Sequence, residues 1–451
     1  MRRVWLAAPA LLALAAAPAR DADPWSRLPR VLARIQAPRF PARDVLITEH
    51  GAVADGSDAT EAFRAAIAAC SRAGGGRVVV PPGEYLTGPI HLKSRVNLHL
   101  QKGALVRFVT DPARYLPPVL TRWEGVELMG YSPLIYAFEQ ESIAVTGEGT
   151  LDGQAGPDRW WSWRKDGPES QKPDRTRLFQ QAEAGAPVAE RVYGAGHYLR
   201  PPFLEPYRCR NVLIEGVTIR SSPFWVIHPV LCRNVTVRNV TVVSHGPNND
   251  GCDPESSSDV LIEGSVFDTG DDCIALKSGR NADGRRLNVP VERVVVRRCR
   301  MRAGHGGVTI GSEISGGARD VFVERCEMSS PDLERGIRVK TNAMRGGVVE
   351  NLFVRDVSIG EVGNAVDVDM LYEEGAAGPH RPVVRNIRIE RLDVRKAAYA
   401  LFLRTLDGSP LQRMVVKDSA FRSVTRGNRI EGVVDLALEN VTLLPEAAAQ
   451  R

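Results

Sequence analysis

A nine-residue unit of the form polar-V-x-[IV]-x-x-V-x-[IV] opens at Asn211 and returns from Asn234, Asp259, Arg293, Asp320, Asn351, Asn386 and Asp435, at intervals of 23, 25, 34, 27, 31, 35 and 49 residues. A repeat this short and this persistent restricts the fold more than any other feature of the chain. The longest interval hides a degenerate copy at Arg413. Branched apolar residues alternate within each copy, which is the two-residue period of a half-buried strand, and the Asn or Asp ahead of each run is a turn former. Helical spacing is absent from these windows. The intervals leave no room for a strand-helix-strand crossover in every repeat, yet they suit a coil of three short strands. The chain therefore reads as all-β, a right-handed parallel β-helix whose coils stack ~4.8 Å apart.

Composition agrees. Aromatics make up only 6% of the 451 residues while glycine occurs 41 times, as thin Val/Ile/Leu layers with a tight corner in each coil require. No Pro/Ser linker interrupts the repeats, so residues 20–451 read as one elongated domain. A solenoid needs its ends covered. Residues Thr60 to Ala73 place Ala62, Phe63, Ala66, Ile67 and Cys70 at helical spacing and predict a short capping helix, followed by a strand from Arg77 to Val80. Arg2 and Arg3 precede an apolar run from Val4 to Ala17, and Ala17-Pro18-Ala19 suits cleavage. Residues 1–19 thus read as a secretory signal and the protein as exported, periplasmic or extracellular. The run is too short to span a bilayer, and no membrane anchor is expected.

Seven cysteines leave at least one unpaired. Cys209 and Cys232 each lie two residues before a repeat start, and Cys299 and Cys326 each lie six after one. Stacked equivalents form a ladder of small buried hydrophobes, or bridge as Cys209-Cys232 or Cys299-Cys326. Cys-x-x-Cys and His-x-x-x-His are both absent, and no metal site is expected.

Folding the chain into its repeat gathers polar residues on one face. Thr269 to Ser278 aligns without a gap on Ala303 to Ser312, stacking Asp271 on His305. Matching Asp250-Gly251-Cys252 to Asp271-Asp272-Cys273 stacks Asp250 under Asp271. Matching Gly336 to Thr341 with Cys273 to Ser278 turns Ile274, Leu276, Ile337 and Val339 to the core and Ala275, Lys277, Arg338 and Lys340 outward. An isolated Asp at a corner is a turn former, and an isolated Arg or Lys a solvated face. Asp250, Asp271 and Asp272 together are different, because turns do not require stacked like charges. Mutual repulsion raises at least one of their pKa values and supplies a general acid beside a general base. Glycosidic hydrolysis uses that pair. Arg338 and Lys340, two residues apart on one strand, suit the carboxylates of an acidic sugar. Lys277 is a ligand or a structural ion, and Asn248 either caps its turn or orients Asp250.

With those residues in place, the chain resembles glycoside hydrolase family 28, the polygalacturonases. The family's Asn-Thr-Asp, Asp-Asp, Gly-His-Gly and Arg-Ile-Lys motifs read here as Asn248-Asn249-Asp250, Gly270-Asp271-Asp272, Gly304-His305-Gly306 and Arg338-Val339-Lys340. Gly51 to Gly56 and Val80 to Tyr85 extend the likeness toward the N-terminus, and it runs to about Gly375. The resemblance implies inverting hydrolysis of α-1,4-linked galacturonic acid without metal or organic cofactor. It also implies Asp271 as general acid, Asp250 and Asp272 as activators of the water, His305 as support for the acid or a substrate contact, and Arg338 and Lys340 as uronate ligands. Tyr372 is the counterpart of a family tyrosine beyond the Arg-x-Lys motif. Asn249 replaces Thr and Val339 replaces Ile, and Asn249 is a candidate marker of a different substrate.

Residues 153–199 interrupt the repeat and carry Trp160, Trp161 and Trp163 among many charges. This insertion is too long for a corner loop. It is expected to flank one end of the cleft, which favours attack at chain ends, or else to extend the capping layer. Trp225 and His228 are sugar contacts or packing. The formal charge of +5 gives mild attraction for a polyanion at best and is spread without a basic aromatic stripe, so no nucleic acid is expected; the site residues and the resemblance imply an acidic polysaccharide or oligosaccharide as the partner of a monomer. Three rivals stay open: a calcium-dependent pectate lyase, a non-catalytic carbohydrate-binding β-helix, and a family member acting on rhamnogalacturonan or xylogalacturonan.

Overall fold

The computed structural model describes residues 23–445; the secretory-signal reading of residues 1–19 lies outside them. The repeats form a right-handed parallel β-helix. Its core is legible as one vertical ladder: Val212, Val235, Val260, Val294, Val321, Leu352, Ile387, Met414 and Leu436 pair in register from coil to coil. Each is the first branched or long apolar residue after a repeat start, so the sequence period is the coil period.

The repeat starts turn the corners. Asn211, Asn234, Asp259, Arg293, Asp320, Asn351, Asn386, Arg413 and Asp435 all have φ between 53° and 62°, the left-handed region that Asn and Asp tolerate better than other non-glycine residues. Their side chains also stack: Asn234 Nδ2 donates to Asn211 Oδ1 at 2.7 Å and Asn351 Nδ2 to Asp320 Oδ1 at 2.9 Å. Asn234→Ala forces an alanine into this conformation and removes that bond and two more with Gln36. It should cost about 1–3 kcal/mol, read as a lower urea midpoint with an unchanged slope.

The helix Thr60–Arg72 caps the solenoid through Ala62, Phe63, Ala66, Ile67 and Cys70, and the strand Gly76–Val80 follows it. All seven cysteines are free and buried. Cys209 and Cys232 do stack, with the Cys209 N–H 3.4 Å from Cys232 Sγ, so the ladder holds and the two bridges do not.

Two elements lie outside the repeat pattern. Trp25 and the helix Leu28–Arg34 cover an outward apolar row of Leu261, Val295, Phe322 and Phe353. The strands Val119–Trp123 and Val126–Gly130 form the antiparallel hairpin among the described residues, with Glu124 at its tip. Within residues 153–199, the helix Gln171–Glu183 packs by Leu178 and Ala182 against Trp123, Val126 and Trp225. Trp160 and Trp163 are buried among Tyr115, Tyr131 and Tyr198, which anchors the insertion. Trp161 lies against Gly246, where a Cβ would overlap its ring. The lack of a side chain at residue 246 thus lets the insertion meet the loop that carries Asn248.

Candidate active site

Three neighbouring strands fix the floor of the site. Ile274, Val308 and Ile337 stack in the core, as do Leu276, Ile310 and Val339. The alternate positions Ala275, Thr309 and Arg338 therefore share the outer face, with Lys277 and Lys340 in the next row. Outward here does not mean solvated: Lys277, Arg338 and Lys340 are all buried under the walls of a pocket.

The coil before is shifted by one residue from the sequence alignment. Cys252 bridges Ile274 and Glu255 bridges Lys277, which puts Asp250 under Asp272 instead of Asp271. Aligning on the shared Asp-x-Cys and Asp-Asp-Cys patterns produced the slip. Alternation gives the true register, because Asp253 and Glu255 follow the same outward spacing as Ala275 and Lys277. Asp271 does stack on His305, whose backbone N–H donates to the Asp271 carbonyl at 3.1 Å.

Asp250, Asp271 and Asp272 bring one carboxylate oxygen each within 4.8 Å of the others, but their surroundings separate their chemistry. Asp272 is fully buried and accepts from Lys340 Nζ at 2.6 Å, Thr309 Oγ1 at 2.9 Å and Arg338 at 3.3 Å. Burial alone would raise its pKa, yet Lys340, Arg338 and Lys277 outweigh it and hold Asp272 well below the usual carboxylate range. Asp250 has Lys277 Nζ at 3.3 Å from Oδ2, while its Oδ1 has no partner among the described residues. Burial first, then the charge of Asp271, pushes Asp250 up to about 8. Asp271 is the accessible member, with its side chain 17% exposed against 3% for Asp250 and 0% for Asp272. His305 Nδ1 donates to it at 2.9 Å, and that bond raises the half-exposed His305 to about 8.

The remaining candidates fall into two groups. Lys277 is shared between Asp250 and Glu313, 3.2 Å away, and lies 4.2 Å above the Trp225 ring. Tyr372 presents its ring to Arg338 and Lys340 at 5.3 and 5.2 Å. Asn248 accepts from Arg200 at 2.7 Å through Oδ1. Asn249 is fully buried, accepts from Ser244 and the Gly246 N–H, and donates to the Phe224 carbonyl. It builds its turn, which removes the ground for reading it as a substrate marker. His228 is fully enclosed between Glu205 and Glu255 and packs edge-on against Trp225.

The pocket encloses about 670 Å³. Its floor includes Asp250, Asp271, Lys277 and Lys340; one wall is Arg164, Gln171, Lys172 and Arg175 from the insertion, and the hairpin tip Glu124 and the Tyr372-Glu374 loop complete it. His305 and Arg338 lie outside this lining. Several residues here escaped sequence reading. Asp253, fully buried with both oxygens unpartnered, is pushed well above the usual range by burial. Glu313 and Arg280 pair at 3.3 Å and come from turns without periodicity. For a divalent cation the three aspartates form a poor cage, since Lys277 and Lys340 already supply the countercharge at their oxygens.

Comparison with known proteins places this geometry. Residues 195–416 match the family described as glycosyl hydrolases family 28. A probable polygalacturonase of Vitis vinifera is 29% identical over 331 residues, spanning 70% of this chain and 61% of that protein. An exo-poly-alpha-D-galacturonosidase of Dickeya chrysanthemi is 27% identical over 357 residues, spanning 73% and 57%. The chain thus spans about 60% of the length of these curated relatives. The crystal structure of a hyperthermoactive exopolygalacturonase from Thermotoga maritima superposes with a TM-score of 0.90 at 42% identity, covering 93% of this chain and 96% of that one. Identity of that order along nearly the whole of both chains, with the four motifs gathered on one face of the same solenoid, makes this chain a member of glycosyl hydrolase family 28.

Proposed function

We propose that the protein is an exo-acting polygalacturonase, hydrolysing α-1,4-galacturonosidic bonds of polygalacturonate or oligogalacturonides by single displacement. One observation carries this reading: an accessible aspartate, Asp271, stands within 4.8 Å of Asp250, whose carboxyl burial pushes up, and of Asp272, which Lys340 and Arg338 hold low, at a pocket that the insertion walls off on one side. For hydrolysis the proton held by Asp250 passes to Asp271, which faces the pocket and donates it to the departing glycosidic oxygen. Asp250, then ionised with Oδ1 free, takes a proton from the water that attacks the anomeric carbon, and Asp272 holds that water from the other side. A base titrating near the working pH suits such a transfer. The proton taken from the water returns Asp250 to its starting state, and His305, 2.9 Å from Asp271 through Nδ1, holds the acid in place. Lys340, Arg338 and Tyr372 edge the sugar, with Lys340 and Tyr372 reaching the pocket directly.

The wall formed by residues 153–199 supports chain-end action, since a pocket of this size admits a terminus and a few sugars but no through-running polymer. Export of the protein to where pectic polymers occur belongs to the same proposal. Among the described residues no helix is long and apolar enough to cross a membrane.

The direct test is incubation of the protein with oligogalacturonides and polygalacturonate in EDTA, with products separated by chromatography. Saturated monogalacturonate released from the start is the expected result. No release, or an unsaturated product, overturns the reading.

Stereochemistry gives a sharper check. The three carboxylates are closer together than the ~6.5–9.5 Å usual for an inverting pair, but Asp272, saturated by two cations and a hydroxyl, is a weak nucleophile. Proton NMR of the first turnovers should therefore show the β-anomer of the new reducing end, and an initial α-anomer would overturn single displacement.

A further inference from the structure

Arg200 is a fully buried guanidinium without a carboxylate partner among the described residues. It donates to Gln171 Oε1 at 2.9 Å, Asn248 Oδ1 at 2.7 Å, and the Pro223 and Pro247 carbonyls at 2.9 and 2.7 Å, and its face rests on the Phe224 ring at 5.1 Å. Glu124 and Asp271 act on it only through space, and burial lowers it to about 9. A buried charge left this way is costly unless it serves a purpose.

Its two amide partners show the purpose. Arginine has only donors, so Gln171 and Asn248 must turn their oxygens to it. Their NH₂ groups then point away from Arg200. Neither NH₂ has an acceptor among the described residues, and both side chains line the pocket. Gln171 belongs to the insertion and Asn248 to the loop just before Asp250, so one guanidinium locks the wall to the floor. The charges agree: six cationic and six acidic side chains line the pocket, the proton on Asp250 leaves one cation in excess, and Arg200 behind them adds another. Arg164, also in the lining, has no ion-pair partner among the described residues.

We propose that Arg200 is a positioning residue for a carboxylate subsite at the walled end of the pocket, where the amides of Gln171 and Asn248 and the charge of Arg164 receive the carboxylate of the terminal uronate. This rests on the polygalacturonase reading. The subsite makes the enzyme selective for a free acid at the chain end over its methyl ester.

Gln171→Glu tests it. The substitution is isosteric and gives Arg200 a carboxylate, so thermal denaturation should show an unchanged or higher Tm, while the pocket loses a donor and its surplus charge. With trigalacturonate, KM should rise about tenfold or more with a smaller change in kcat, and the wild-type preference for trigalacturonate over its fully methyl-esterified form should shrink by the same factor. An unchanged KM and an unchanged preference overturn the inference. A wild type that hydrolyses no galacturonide overturns the proposed function and this inference with it. A wild type that hydrolyses them, beside a Gln171→Glu variant of unaltered KM and ester preference, overturns the inference alone.

Discussion

Asp271→Asn should lower kcat on oligogalacturonides by about 10³-fold, within the span of general-acid contributions, with little change in KM or in Tm. The fold has small reason to respond. Asn keeps an oxygen for the Asp272 N–H, now 3.0 Å from Asp271 Oδ1, and the side chain is partly exposed. What disappears is the proton donor. The specific signature lies in the leaving group: a 4-nitrophenyl α-galacturonide expels a phenolate that needs no protonation, so Asp271→Asn should lose far less on it than on the natural linkage. Asp272→Asn should lose activity on both substrates alike, since it impairs the water. Equal losses for Asp271→Asn on the two substrates would move the acid elsewhere. The variant also reports through His305. The Asp271 hydrogen bond is the first cause of the elevated His305 pKa of about 8, so the His305 ring should titrate lower in Asp271→Asn when followed by NMR.

The fold and the centre of the site were readable for one reason: both are written in strand-period sequence. A corner residue at positive φ must be Asn, Asp or an outlier, and the apolar residue after it must stack on its counterpart, so Asn211-Val212 and Asn234-Val235 declare the coil. Asp272, Arg338 and Lys340 come together because alternation on stacked strands places them. The residues that shape the pocket around them carry no such signal. Glu124 sits at the tip of an antiparallel hairpin, Arg280 and Glu313 lie in turns, and Gln171 reaches the pocket on a helix that departs from the solenoid. Their positions follow from loop paths, which single residues do not encode. Alternation also outranks identity: aligning Cys252 with Cys273 misplaced Asp250 by one residue, whereas the outward pair Glu255 and Lys277 gives the observed register.

Asp250→Asn should produce an inactive protein that is more stable than its parent, increasingly so as pH rises from about 4 to about 8. The sign follows from linkage. Burial and then Asp271 raise the folded-state pKa of Asp250 from 3.8 to about 8. Between those values the native state holds a proton that the unfolded state has released, and stability falls with rising pH. Below the lower value both states are protonated and nothing is lost; above the upper one the penalty is complete. Asn presents the same shape without a charge to desolvate, so the penalty vanishes. Lys277 keeps Glu313 at 3.2 Å as its counterion. A shift of this size corresponds to a gain on the order of a few kcal/mol at pH 8, seen as a Tm difference that widens from pH 4 to pH 8. Asp272 acts in the opposite sense: its depressed pKa contributes stability above pH 3.8 that is lost on further acidification, so Asp272→Asn should be destabilised throughout the same range, where Lys340 and Arg338 lose their buried partner. A Tm difference between wild type and Asp250→Asn that does not change with pH would show that Asp250 is ionised in the folded protein, and Asp271 would then need another source for the proton it delivers.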